Sequence, residues 1–363
     1  MKKLLLSVLA ISVLVACSKS DVIEMPQSQA IKFGSAFVDN STKAIDPTWN
    51  HNNDTASFRV WGNLKPNNVG SVTTNIFNGV KVKKVWAAAD GASVGTNSTW
   101  FYDDDYVQYW IPTVNYKFTA ISGAINGAVG MADNLPSTIP YNAETQSDLL
   151  LATASATGAA TGSNNPISFT FDHLLSKVQF EFVNAYPAAS DLYIKVTNVQ
   201  IVNPYETATY TISGSTWGSQ TLGTGYTQSF GNVSGTDVAS APAEYIAPNN
   251  GSKVSNYARL MIPGTYKIDN DGSTTDYPLQ ISFVAQVYLK QGDTYTEITA
   301  LKIDKSTNYV VPTTLTLQNN YSYNFKITLG GDLDKIMFSV SGVKSFNGEG
   351  TGESLHETTI PLS

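Results

Sequence analysis

Gly91-Ala92-Ser93-Val94-Gly95 has the Gly-x-Ser-x-Gly spacing that raises a nucleophilic hydroxyl on a strained turn between a strand and a helix. Such a serine needs an imidazole to take its proton, and the chain holds only His51, His173 and His356. Asn97, Ser98 and Thr99 do not start a helix, so the pentapeptide reads as a glycine-rich hairpin loop, and an esterase built on Ser93 ranks last among the functions considered. The same shortage of histidine works against a metal site built on several imidazoles. His173, after Phe169, Phe171 and Asp172 at a strand junction, reads as a core or turn residue. Asp269-Asn270-Asp271-Gly272 starts like a calcium loop but lacks the later ligands and the closing glutamate, and with Tyr266 and Tyr277 on either side it reads as a hairpin turn. Asp103-Asp104-Asp105, between Tyr102 and Tyr106, reads as a solvated turn ahead of a cation site. No catalytic, cofactor-binding or metal-ligating set emerges, and the expectation is a non-enzyme without cofactors.

Cys17 is different. It is the only cysteine, and it follows Leu14-Val15-Ala16 at the end of an apolar run that opens with Lys2 and Lys3. Leu4 to Val15 is short of the roughly 20 apolar residues that span a bilayer, but it suits the core of a secretory signal. Leu-Val-Ala-Cys matches the bacterial lipobox, so residues 1–16 are expected to be a lipoprotein signal peptide and Cys17 the acylated N-terminus of the mature chain. Ser18, where aspartate would signal retention at the inner membrane, directs the expectation to the outer membrane or surface.

The chain has 22 basic and 29 acidic residues among 363, a formal charge of -7. Loss of Lys2 and Lys3 leaves 20 against 29, or -9. There is no basic patch to release counterions from phosphates, so nucleic acid is excluded as a partner. A lipidated single thiol forms no internal disulfide, and an exported chain without cross-links rests on its core. At 42% hydrophobic and 11% aromatic residues, the composition can build one.

Past Ala30 the apolar residues alternate with period two: Ile31, Phe33 and Phe37; Val80 and Val82; Phe118 and Ala120; Leu192, Ile194 and Val196; Leu279, Ile281 and Phe283; Tyr321, Tyr323, Phe325 and Ile327; Ile336, Phe338 and Val340. Dipeptides that accept positive φ, including Asn78-Gly79, Asn126-Gly127 and Asn250-Gly251, punctuate them as turns. The pattern predicts an all-β chain of two tandem β-sandwich domains, parted in the loop Asn184 to Ser190. The expected units are a segment 17–43, an N-terminal domain 44–186 and a C-terminal domain 187–363. Trp49, Trp61, Trp86, Trp100 and Trp110 crowd the first third, so they are either core or an aromatic platform for a surface glycan-binding lipoprotein.

Several segments in order resemble the fimbrillin family, the type V pilus subunits of Bacteroidetes. They are Tyr109-Trp110-Ile111-Pro112, Tyr116-Lys117-Phe118-Thr119-Ala120, Phe171-Asp172-His173-Leu174-Leu175-Ser176-Lys177-Val178-Gln179-Phe180, Leu260-Met261-Ile262-Pro263 and Asn320-Tyr321-Ser322-Tyr323-Asn324-Phe325-Lys326-Ile327. The resemblance implies transthyretin-like sandwiches, export as a lipoprotein, and assembly with other fimbrial subunits into surface fimbriae that attach to host or bacterial receptors. It also implies that a trypsin-like protease removes an N-terminal strand and that a neighbour's strand refills the groove. In this chain the removable strand would be Ala30 to Val38, with Ile31, Phe33 and Phe37 facing the groove. The cut would fall at Lys43-Ala44, within Ser41-Thr42-Lys43-Ala44. Ile336, Phe338 and Val340 would mark a terminal strand that is either retained or donated.

Overall fold

The computed structural model describes residues 29–38, 57–66, 73–86, 98–102, 104–160, 164–222, 225–234, 244–267, 280–307, 314–330 and 337–343. They form an all-β fold, as the alternation predicts, and helical turns among them are three-residue 3-10 pieces. The N-terminal half contributes β1 (Phe33–Val38), β2 (Ser57–Lys65), β3 (Thr74–Trp86), β4 (Ser98–Phe101), β5 (Asn115–Ser122), β6 (Gly130–Ala132), β7 (Leu135–Asn142), β8 (Leu150–Thr157) and β9 (Ile167–His173). The chain continues with β10 (Ser176–Asn184), β11 (Leu192–Val202), β12 (Tyr205–Thr211), β13 (Thr216–Leu222), β14 (Thr227–Gly231), β15 (Gly251–Val254) and β16 (Arg259–Met261). It ends with β17 (Gly264–Lys267), β18 (Gln280–Gln291), β19 (Thr294–Glu297), β20 (Ile303–Asp304), β21 (Thr314–Leu317), β22 (Ser322–Leu329) and β23 (Met337–Val343).

In the N-terminal half, β1, β4, β3, β2, β5, β8 and β9 follow one another round a closed barrel. Alternation places one face of each strand inside it: Ile167, Phe169 and Phe171 of β9 are buried, while the residues between them are exposed. Phe33, Phe58, Phe77, Phe118 and Phe169 pack ring against ring in the interior. Each such side chain withdrawn from water stabilises the fold by about 1.5 to 3 kcal/mol. The C-terminal half is two facing sheets, β15-β10-β22-β23 with β16 on β10, and β14-β11-β18-β19 with β20 on β18. Between them lie Phe180, Phe182, Phe230, Phe283 and Phe325.

The halves are joined by more than the chain. β7 of the first pairs with β12 of the second in the sheet β13-β12-β7-β6. A third buried cluster draws Trp61, Ile121, Ile139 and Leu149 from one side and Tyr210 and Ile262 from the other around Leu174 and Leu175. Trp217 Nε1 donates to Leu174 O at 2.8 Å across that seam.

Two local expectations differ from the structure. Residues 176–184, grouped by sequence with the N-terminal half, pair along their length with β22, and also with β15 and β16, all from the second half. The change of sheet takes place at Leu174-Leu175, which are both buried and carry no turn residue, whereas Asn184 to Ser190 links two strands of the same half. Asn78-Gly79 lies inside β3 rather than at a turn. Gly79 has φ +68 where the register with β2 shifts between Val60 and Trp61, so the glycine serves a bulge. A Cβ there would come within 3.1 Å of the Trp61 ring.

Candidate functional site

The strand that the resemblance marks as removable holds β1, and the chain reaches β1 through Gln29 to Lys32. Trp110 N donates to Gln29 O at 2.9 Å and Ile31 N donates to Gln108 O at 2.8 Å, which ties the approach to the Tyr109 segment. Gln29 also clasps Asn164 with its amide: Nε2 donates to Asn164 O at 3.0 Å, and Asn164 N donates to Oε1 at 2.5 Å. Beyond it, Ile167 N donates to Lys32 O at 2.8 Å, and β1 runs parallel to β9 with Phe33 opposite Ile167 and Val38 opposite Phe171. On the other edge Phe33 pairs with Trp100 of β4. β1 therefore has a neighbour on both sides and closes the barrel.

Side chains at β1 and just before it are buried in the barrel. Ile31 is 1% and Phe33 2% exposed, and the Phe33 ring meets Phe58, Phe77, Tyr102, Phe118 and Phe169 within 6.4 Å. Tyr102 adds a polar latch by donating its hydroxyl to Ile31 O at 2.6 Å. The side chain of Phe37 lies outside the described residues. The register with β9 slips by one residue between Phe33 and Ala36. Sequence reasoning missed Gln29 and Tyr102, for neither belongs to an apolar pattern.

The second candidate strand, β23, is an edge. It is antiparallel to β22, with Phe338 opposite Ile327 and Val340 opposite Phe325, and no other strand flanks it among the described residues. Phe338 is 1% exposed and packs on Phe325 at 5.4 Å, while Met337 is exposed. Ile336 and the side chain of Val340 lie outside the described residues, as do Cys17, Lys43, Ala44, Ser93, His51, His356, Trp49, Asp103, the Asp269 to Gly272 segment and the Trp86 side chain.

Each half anchors a strand start with the same device. Ile111 N donates to Tyr116 Oη at 2.7 Å in β5, and Gln318 N donates to Tyr323 Oη at 2.8 Å in β22. Both phenols are buried, and burial pushes both pKa values up, that of Tyr323 to about 12. The hydrogen bond from the backbone amide opposes each shift.

His173 is buried at the end of β9, with Nδ1 2.6 Å from Asp148 Oδ2, itself 5% exposed. It thus belongs to an interior pair at the seam. Trp61, Trp100 and Trp110 are 5%, 7% and 5% exposed, which places them in core and removes them from any surface platform. Among the described residues no group of three or more His, Cys, Asp or Glu could hold a metal ion.

A family model described as Fimbrillin-like matches residues 42–344. No curated protein matches the chain in sequence. Among solved structures, a fimbrial protein from Bacteroides vulgatus superposes with a TM-score of 0.59 at 16% identity, covering 86% of this chain and 98% of that one. A candidate cell adhesion protein from Bacteroides ovatus is similar at a TM-score of 0.45 and 13% identity, covering 86% and 97%. The first supports the fold that the strand pairing describes. With most of its length matched by the family model, the chain belongs to the fimbrillin-like family.

Proposed function

We propose that the chain is a structural subunit of surface fimbriae, exported as a lipoprotein through Cys17 and assembled by strand exchange after a cut at Lys43-Ala44. The observation that carries this reading is the position of β1. It is hydrogen-bonded on both edges, and Ile31 and Phe33 are buried in the barrel. Removing it leaves a row of unpaired backbone groups along β9, a shorter gap beside Trp100 of β4 and an apolar groove, and an extended strand from a neighbour satisfies them. Withdrawal of Ile31 and Phe33 costs about 1.5 to 3 kcal/mol for each side chain.

β23, carrying Phe338 and Val340 and preceded by Ile336, is the donor in this account, because an edge strand leaves its sheet by breaking one ladder. The contact is head to tail and does not close, so it propagates a filament. Before the cut, β1 competes from the same chain at high effective concentration, which keeps the precursor monomeric. The mature subunit resides at the outer membrane and then in the fimbrium, where it supports adhesion.

Light scattering on three purified forms tests the proposal: the intact chain, the chain cut after Lys43, and a cut chain ending at Gly331. Polymer is expected from the second alone. Monomers from all three, with the cut verified by mass and folding by circular dichroism, overturn it.

A further inference from the structure

Two segments at opposite ends of the chain carry the same sequence pattern. Residues 31–38 read Ile-Lys-Phe-Gly-Ser-Ala-Phe-Val, and residues 336–343 read Ile-Met-Phe-Ser-Val-Ser-Gly-Val. With Ile31 set against Ile336, the isoleucine, the phenylalanine and the closing valine coincide. Small residues coincide as well, Gly34 with Ser339 and Ala36 with Ser341. Ile-x-Phe occurs at four places in the sequence. Two of them, Ile167-Ser168-Phe169 and Ile281-Ser282-Phe283, lie inside β9 and β18, where their isoleucine and phenylalanine side chains are buried. The remaining pair head β1 and the edge strand β23.

The pattern matches what the β1 slot holds. Ile31 and Phe33 are buried and Lys32 between them is exposed. Phe33 fills a pocket of rings from Phe58, Phe77, Tyr102, Phe118 and Phe169. The Tyr102 hydroxyl donates to Ile31 O, a backbone acceptor that any residue at that place supplies. The slot therefore suits an extended segment with an aromatic side chain two residues after an aliphatic one and a solvent-facing residue between them. β23 has the same division in its own sheet: Phe338 is buried against Phe325, and Met337 before it is exposed.

Two positions differ. A Cβ at position 34 stands 3.0 Å from Pro166 Cβ, so a serine there requires the start of β9 to give by a few tenths of an ångström. Gln29 both donates to Asn164 and accepts from it, whereas Asp334, at the corresponding place, brings a carboxylate that only accepts. The first difference is a local adjustment, and the second removes one bond.

We propose that β23 of a second copy enters the slot in the register of β1 and parallel to β9, with Phe338 in the Phe33 pocket and Ile336 at the place of Ile31, its carbonyl on the Tyr102 hydroxyl. This inference rests on the strand exchange proposed above and adds which residues of the second copy meet which residues of the barrel. The strand that a subunit gives up is thus the template for the strand that it accepts.

Disulfide trapping in polymer grown from the cut chain tests the register. The cut removes Cys17, so introduced thiols are the only ones present. A Cβ at position 34 lies 3.6 Å from Ser168 Oγ, and Ser339→Cys with Ser168→Cys is therefore expected to join neighbouring subunits into a covalent ladder on non-reducing gels. Met337→Cys with Ser168→Cys sets the thiol two residues away on the same side of the strand and should leave monomers after denaturation. Should the first pair disturb folding, as read by circular dichroism, Gly342→Cys with Thr170→Cys reports the same register, because Phe37 lies opposite Thr170. Polymer linked through position 337, or polymer that yields no ladder from the pairs at 339 and 342, overturns the register and leaves strand exchange standing. Absence of polymer from the cut chain itself, read by light scattering, overturns both.

Discussion

The first strand of each half occupies the same kind of slot. β1 runs parallel to β9, the last strand of its barrel, with β4 antiparallel on its other edge. β10 runs parallel to β22, with β15 and β16 antiparallel on its other edge. The difference lies in attachment. β10 follows β9 through two buried leucines and pairs without a shift over Lys177 to Asn184. β1 is shorter, has a register slip, and is reached through the few bonds made by Gln29 and Ile31. Equivalent slots are thus filled by one strand that pairs without a shift and one with a register slip, the strand that the proposed function has leave, and the latter closes a barrel.

The largest effect that sharpens this contrast is expected from Phe180→Asp in β10. A carboxylate among Phe182, Phe230 and Phe325 has no partner, and the cost of more than about 5 kcal/mol unfolds the C-terminal half in intact and cut chains alike. Loss of near-ultraviolet circular dichroism in both forms checks it. Next is Phe33→Ala, which removes a ring from among five others and should destabilise the intact chain by about 3 to 5 kcal/mol in denaturant unfolding. The cut chain, having lost β1, should be indifferent to it. A loss of equal size in the cut chain would break the comparison.

The two tyrosine anchors should respond alike. Tyr116→Phe and Tyr323→Phe each remove the acceptor of a partly buried backbone N–H, of Ile111 and Gln318, at a cost of about 0.5 to 1.5 kcal/mol. A smaller effect concerns alkali. Folding raises the Tyr323 pKa from 10.0 to about 12, so its neutral form is favoured in the folded state. Its contribution is complete below pH 10 and is lost as the pH rises toward 12. Alkaline unfolding curves of the protein should show that loss, and Tyr323→Phe should flatten it.

Much of the fold was legible in the sequence because one wet face per strand imposes period two, as in Ile167 to Phe171 and Ser322 to Leu329. The passage from one half to the other was not. The strand junction at His173 is legible but does not announce a change of sheet, because the chain passes through buried Leu174 and Leu175 and uses no glycine or proline to do so. Asn78-Gly79 misled in the opposite sense, since a bulge and a turn ask for the same positive φ. At the candidate site, the burial of Ile31 and Phe33 could be read from alternation, whereas the slip before Ala36 is a matter of pairing with β9 and leaves no mark in composition. The Tyr116 and Tyr323 anchors share a spacing of five residues to their donors, a signal visible only once both donors are known.

Hydrogen exchange read by mass spectrometry tests the proposed departure of β1 most directly. The peptides to follow cover β9 and β4, the two neighbours of β1, in intact monomer, in cut monomer held dilute, and in assembled material. The account predicts protection in the first, its loss in the second and its return in the third, with β10 protected throughout. Protection of β9 and β4 that stays the same in all three would contradict it.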